Sequence, residues 1–256
     1  MKENYKDIKI LVIGDSCIDI FTYGDTLRLA PEGPAPVFNP LNSKSNGGMA
    51  LNVSNNISAI GAFNTLITQE QEITKTRYID ERTNTLLLRI DANDRTSQIS
   101  SELLKSIKNN FYENVYYDAI VISDYCKGFL SEEDIEFISS NNSNVFLDTK
   151  KILGEWCKAV TFIKINHTEF DRTKHTIDAL GLYEKMIITR SDEGCEYDNK
   201  IYPVEKVNIK DVSGAGDTFV SGLVCEFIRT KDIILAIKFA QECATKVVQK
   251  KGVCTI

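Results

Sequence analysis

Short runs of aliphatic and β-branched residues punctuate the chain at KILVIGD (9–15), AIVISDY (119–125), VFLDTK (145–150), VTFIKIN (160–166) and MIITRS (186–191). Several are apolar at odd and even positions alike, a pattern that a strand needs only when both its faces are buried. Between them, apolar residues return at offsets of three and four over 99–110, 131–140, 167–180, 217–229 and 232–249, and this period predicts helices. Two-faced strands alternating with one-faced helices predict an α/β fold, a mostly parallel sheet covered by helices. Two early stretches break the alternation. IDIFTYGD (18–25) and APVFNP (35–40), joined by RLAPEGP, read as extended strands and turns outside the main sheet, and TNTLLLRIDAND (83–94) has the same β character. They predict a small flap over the strand ends, able to exclude water from a site there, with its strands drawn from about 16–42 and 83–94. No linker, repeat or low-complexity segment interrupts the chain, so a single domain over 1–256 is expected.

In an open parallel sheet the ligand lies beyond the carboxyl ends of the strands. Asp15, Asp124, Asp148, Asn166 and Arg190 stand at or just past those ends. One polar residue at a strand end is an ordinary loop start; five at one sheet edge point to a site.

Composition narrows what such a site takes. The 256 residues carry 30 Lys and Arg against 36 Asp and Glu, a formal charge of −6, and no basic block interleaved with aromatics. Nucleic acid is therefore not an expected partner. No apolar stretch reaches bilayer-spanning length and the start of the chain runs straight into a strand, so neither membrane nor signal segment is expected. Seven scattered cysteines without a C-x-x-C argue for reduced thiols and a cytoplasmic setting. The two histidines, His167 and His175, have no ligand-like spacing with cysteines and read as surface or helix-end residues.

The stretch DVSGAGDTFVSG (211–222) puts Gly214 and Gly216 around one alanine, directly before Asp217 and an amphipathic helix. Two accounts fit. Asp217 can cap the helix, its carboxylate accepting a backbone N–H at the positive end of the helix dipole. Alternatively the small residues leave the N–H groups of 214–217 uncovered as an anion-binding nest for a phosphate. A second glycine pair, in NGGMALNVSNNISAIGA (46–62), also precedes a helix. Gly47 and Gly48 permit close approach to the backbone, and Asn52 can present its amide to the same space, unless the segment is only a turn with an asparagine on the wet side. A Walker-type G-x-x-x-x-G-K-[ST] is absent, and Gly214-Ala215-Gly216 lacks the third glycine of a dinucleotide fingerprint.

The GD at 14–15, the GG-x-x-x-N of 47–52, the N-x-x-E of 166–169, the TRSDEG of 189–194 and the D-x-x-GAGD of 211–217 follow one another in an order that resembles the ribokinase-like (PfkB-type) carbohydrate kinases along nearly the whole chain. GDSCIDIFTYG, RLAPEGPAPV (28–37), LLLRID (86–91), ISDYCKG (122–128) and LDTKK (147–151) are similar to the kinase domain of bacterial heptose 7-phosphate kinases, which phosphorylate the anomeric oxygen of D-glycero-D-manno-heptose 7-phosphate.

The resemblance implies an ATP- and Mg²⁺-dependent transfer to a sugar hydroxyl. It implies Asp217 as general base, with the amides of Gly214, Ala215 and Gly216 stabilising charge on the transferring phosphoryl group. Asn166 and Glu169 would order the magnesium ion and its waters, and Thr189, Arg190 and Gly194 would lie by the nucleotide. Asp15, Asp19, Gly47, Gly48 and Asn52 would hold sugar hydroxyls, and Arg89, Lys127 and Lys150 are the cations offered by charge to a phosphate already on the sugar. It further implies a possible homodimer through the flap, and a separate nucleotidyltransferase acting afterwards, since no H-x-G-H is present. After Ala62 family members usually continue through a strand, a glycine loop, a helix and another strand before the flap; here only FNTLITQEQEITKTRYIDER intervenes, so a helix and part of the sheet edge are expected to be missing. The competing readings are a kinase for another phosphorylated sugar or a nucleoside, and a non-catalytic sugar- or nucleotide-binding relative.

Overall fold

The five two-faced runs form the centre of one sheet. In the computed structural model, which describes residues 4–250 and 252–256, the chain opens with β1 (Lys9–Gly14), β2 (Ser16–Leu29) and β3 (Pro36–Met49). It continues through α1 (Ala50–Ile60), β4 (Phe63–Ile67), β5 (Thr74–Asp80), β6 (Thr85–Ala92), α2 (Ser101–Ser106) and the two-residue strands β7 (Phe111–Tyr112) and β8 (Val115–Tyr116). Then come β9 (Ala119–Asp124), α3 (Glu132–Asn141), β10 (Val145–Thr149), β11 (Phe162–Asn166) and α4 (His167–Leu180). The last elements are β12 (Met186–Thr189), β13 (Cys195–Tyr197), β14 (Lys200–Tyr202), α5 (Ala215–Thr230) and α6 (Ile233–Val248).

The main sheet has the order β14-β13-β12-β11-β10-β9-β1-β4. Its pairs are parallel from β4 to β12, and only β13 and β14 run antiparallel. Residue parity sorts the core. Leu11, Ile13, Ile120, Ile122, Leu147 and Ile163 join one apolar cluster with residues of α3 and α4. Ile10, Val12, Val121, Phe146 and Ile187 join the other, with α1, α5 and α6. Each central strand is thus buried twice, as its sequence requires.

Four strands in the order β3-β2-β5-β6 make a second sheet. It begins at Ser16, two residues past the end of β1, and Cys17, Met49 and Ile73 pack against Tyr125, the residue following β9. The flap therefore stands at the carboxyl ends of the main strands, where the sequence predicts it, though β3 runs on to Met49 and carries Gly47 and Gly48 inside it. Its strand β5 lies in a segment to which the sequence reading gave no element.

The helix expected over 99–110 shrinks to α2. Ser100 caps it, but no α2 residue is buried; Ile99 and Ile107, the buried apolar residues, flank it as anchors. After α1 the strand β4 is present and forms the sheet edge, and six residues (68–73) then lead directly to β5 in the flap. No helix lies between them, in keeping with the shortened segment. No helix among the described residues is long and apolar enough to cross a membrane.

Candidate active site

Helix α5 begins at Ala215, and its N-cap is Gly214, in the left-handed region with φ 78°, with no side chain capping the first turn. That removes one of the two accounts of the GAGD stretch: Asp217 is not the cap. A Cβ on Gly214 would also meet the Asn52 amide nitrogen at 2.7 Å, so both the backbone angle and the neighbour call for glycine. Asp211 fastens the turn, its carboxylate accepting the N–H of Ser213 at 2.8 Å and of Gly252 at 3.0 Å.

Asp217 sits in the first turn, 3% exposed, and its carboxylate turns away from its own backbone. Oδ2 accepts the Asn52 amide at 2.9 Å, and Oδ1 accepts the Tyr125 hydroxyl at 2.7 Å. Burial pushes this carboxyl up to about 6, against the pull of those two donors. Asn52, on α1, is held in turn by the Asn56 side chain, which donates to the Asn52 carbonyl at 2.9 Å and to its amide oxygen at 3.1 Å.

The segment that leads into α5 separates two cavities, one lined by Gly214–Gly216 and one by Lys210, Asp211 and Ser213, and Asp217 itself lines neither. The larger, of about 550 Å³, is lined by Gly214, Ala215 and Gly216, by Lys150, Asn166, Thr189 and Gly194, and by Tyr125 and Lys164. Its apolar lining includes Val204, Val207, Ile209, Val212 and Val248. The smaller, of about 260 Å³, lies under the flap between Phe21, Tyr23 and Arg77 on one side and Lys210, Asp211 and Ser213 on the other.

Beneath the glycines lies a charged layer. Lys164 and Asp148 form a buried ion pair at 2.8 Å, and the Lys164 ammonium is so close under Gly216 that a Cβ there would stand 2.8 Å from it. The nest thus combines the N–H groups of a helix start with a fixed positive charge. Lys150 bridges Glu169 at 2.5 Å and approaches Asp148 at 3.9 Å. Burial works against its charge, but the two carboxylates outweigh it and its net shift is upward. Asn166 is the N-cap of α4 and forms a capping box with Glu169, each side chain accepting the other's backbone N–H.

The structure gives several expected site residues other neighbours. Asp15 is fully buried, and its oxygens accept the N–H groups of Tyr125 at 2.8 Å, Lys127 at 3.1 Å and Phe129 at 3.3 Å, so this carboxylate shapes the 125–129 loop. Asp19 lies on the inner face of the flap, salt-bridged to Arg77 at 2.5 Å, with the bare backbone of Gly48 against its carboxylate. Gly47 packs on Leu51. Arg190 turns to Glu196 and lines neither cavity. Arg89 pairs with Asp91 at 2.7 Å on exposed β6, and Lys127 with Asp94 at 2.6 Å. Each of the three cations offered by charge is already paired within the chain. His167 and His175 are both exposed on α4, as expected.

Sequence reasoning missed Tyr125, Arg77, Lys164 and Lys210. Lys164 had a signal, a lone lysine in an otherwise apolar two-faced strand. Tyr125 had none, since a tyrosine after a strand is ordinary core material.

Comparison with known proteins places these features. The family model described as pfkB family carbohydrate kinase matches residues 63–256. The Bifunctional protein HldE of Vibrio vulnificus (strain YJ016) is 28% identical over 299 aligned residues, covering 99% of this chain and 62% of the relative. The protein of that name from Rhodopseudomonas palustris (strain BisB5) is 28% identical over 302, covering 96% and 61%. The chain thus spans about 62% of the length of the first relative, and the alignment is longer than the chain, so that relative carries residues that are missing here. Among solved structures, ribokinase from Thermotoga maritima superposes with a TM-score of 0.69 at 16% identity, over 96% of this chain and 94% of the other. Arabidopsis thaliana ribokinase complexed with ribose and ATP gives 0.67 at 12% identity, over 96% and 94%. The overall fold is therefore shared with these ribokinases, and the chain belongs to the pfkB family of carbohydrate kinases, phosphotransferases with an alcohol group as acceptor.

Proposed function

We propose that the protein transfers the γ-phosphoryl group of ATP to the anomeric hydroxyl of D-glycero-D-manno-heptose 7-phosphate, giving the 1,7-bisphosphate. The observation that carries this reading is that the residues entering α5 carry a cavity on each side, with the buried Asp217 carboxylate in the first turn. The larger cavity suits a nucleotide, with its apolar lining for the base and the Gly214–Gly216 amides and Lys164 for the phosphates. The smaller suits the acceptor. Arg77 and Lys210 line it, and the Lys210 ammonium makes no ion pair among the described residues, so a phosphate already on the sugar finds cations there.

Asp217 acts as general base on the acceptor hydroxyl. Its two oxygens carry about four lone-pair sites, and Asn52 and Tyr125 use one on each, leaving room for the incoming proton. Asp19 and Asn52 contact the sugar, and the amides of the GAG turn meet the charge that develops on the phosphoryl oxygens. Magnesium fits the oxygen donors Asn166 and Glu169 through its own waters, because their oxygens already accept protein hydrogen bonds and few protein ligands are usual for this ion. When bound, it neutralises phosphate charge.

The flap exposes Leu27, Leu29, Leu86, Leu88 and Ile90, a surface for pairing with a second copy. A nucleotidyltransferase takes the product onward, and reduced buried thiols suit a cytoplasmic setting. A different phosphorylated sugar is the second reading, favoured by the direct passage from β4 to the flap, where the resemblance implies a longer segment. ADP release measured with ATP and Mg²⁺ over a panel of sugars and sugar phosphates tests the proposal. Turnover limited to the heptose 7-phosphate supports it, and turnover limited to another acceptor replaces the substrate while leaving the chemistry.

A further inference from the structure

Tyr125 follows β9 and stands half-buried at the edge of the larger cavity, where its ring is held from several directions. Its own N–H is fixed by Asp15, which also fixes two further N–H groups of the same loop. The Lys75 ammonium, on flap strand β5, lies 5.5 Å from the ring centroid, and the Lys150 ammonium, from the sheet side, lies 5.1 Å from it. Two cations on an aromatic ring hold it by attraction to the ring quadrupole. Lys75 is 7% exposed, and the only hydrogen-bond partner of its ammonium among the described residues is the Met49 sulfur at 2.9 Å. The ring therefore ties the flap to the main sheet, and its hydroxyl ends on Asp217.

We propose that Tyr125 is a positioning residue for Asp217, its O–H keeping the carboxylate ionised and fixing Oδ1 while Lys75 and Lys150 hold the ring in place. Cys17, Met49 and Ile73 cover part of the ring, but a mere filler of the core would not also face two ammonium groups, a carboxylate and a cavity. The charged and titratable groups around Asp217 are Asp148 and Lys150 at the end of β10, Lys164 on β11, Cys17 on β2, Lys75 on β5 and Tyr125 itself. Burial first, and the Asp217 charge next, hold the phenol well above its ordinary range, so it remains a donor. Asn52, the other donor, is neutral and does not titrate. The flap cation Lys75 lies on the same ring whose hydroxyl donates to Asp217, which couples the position of the flap to the state of the carboxylate.

The proposal rests on Asp217 being the base only for its catalytic consequence, and the coupling is measurable without turnover. The full chain is labelled with ¹³C at aspartate carboxyls, the Asp217 resonance is assigned by its loss in D217N, and its titration is followed in wild type and Tyr125→Phe. The midpoint is expected to rise by about one pH unit in Y125F, the loss of one hydrogen bond to the charged form. Should Y125F fold poorly, 3,5-difluorotyrosine at 125 keeps the shape, strengthens the donor and lowers the midpoint instead. A midpoint that stays within a few tenths of a unit in a folded Y125F, or that fails to fall with the fluorinated ring, overturns the proposal. In turnover, the acid limb of kcat/KM should move with the resonance; a lower acceptor KM in Y125F without that movement would mean that the phenol competes with the acceptor, and would overturn it too. Full activity in D217N would instead overturn the base assignment, leaving the titration result intact.

Discussion

The two sides of the GAGD turn are built differently. On the sheet side, Asp217, Asp148 and Lys164 are nearly or fully buried, and each is bonded to groups that are themselves held by strands or helices. On the flap side, β6 is exposed along its whole length, and its Arg89–Asp91 pair is open to solvent. Buried charges in a low-dielectric setting interact strongly and cannot be rearranged cheaply, whereas exposed pairs are screened and exchange partners at little cost. On the proposed mechanism the chemistry falls in the rigid part, and the choice of acceptor in the part that tolerates change.

Asp217→Asn tests the rigid side directly. Loss of a general base should lower kcat by about two to four powers of ten, with nucleotide affinity measured by calorimetry close to wild type. Equal loss of binding and turnover would mean that the carboxylate supports the cavity instead of the chemistry. Lys164→Met removes one partner of the buried Asp148 pair, and denaturant unfolding should show a loss of about 3–5 kcal/mol, because a charge is left buried alone. An unchanged midpoint would show that the pair is not the fixed layer described.

Arg77→Ala carries the test across to the flap. The guanidinium faces the smaller cavity and binds Asp19, so its loss should raise the KM for a phosphorylated acceptor roughly 10- to 100-fold, as expected for a hydrogen bond to a charged group. The KM for ATP should stay put. If kcat falls instead, the flap takes part in the chemistry and the division between the two sides is wrong.

The pH profile bears on the rigid side again. As the proposed base, Asp217 must be ionised to accept a proton, and burial raises its carboxyl to about 6. Below that value the protonated, inactive form accumulates, so kcat/KM should fall about tenfold per unit toward acid and level off above pH 7. A limb near the ordinary aspartate value would mean that the site is wetter than its burial indicates.

The same division governs what the sequence revealed. The central strands were legible because burial on both faces leaves an unbroken apolar run, and α4 because its period spans the whole of 167–180. Strand β5 was not, since Lys75 and Arg77 point inward to a polar face and reverse the usual pattern. The helix expected over 99–110 failed for a related reason: its apolar residues anchor the ends of a loop rather than one face of a helix. At the site, the glycine turn and Asp217 announced themselves by residue type. Asp15 stood out equally, yet its bonds are to backbone N–H groups, a job that a strand-end aspartate does not advertise. Cations could not be ranked at all from charge, because Arg89 and Lys127 have partners distant or near in sequence that only the fold brings into reach.

Arg89→Ala is the mildest of these changes and the one that isolates exposure as the cause. Arg89 and Arg77 lie opposite each other on paired strands of the flap, and both form carboxylate pairs, so residue type and location are matched. They differ in setting: the Arg77 side chain is 16% exposed and lines a cavity, whereas that of Arg89 is 43% exposed and lines neither cavity described. An exposed pair contributes about 0–1 kcal/mol, so R89A should change acceptor KM by less than about fivefold and leave the melting temperature nearly unmoved. An effect as large as that of R77A would mean that the flap closes further on substrate and buries β6, bringing Arg89 to the acceptor. In that event the KM of R89A should also depend less on salt than that of wild type, since a cation that meets a phosphate gives a salt dependence that its removal takes away.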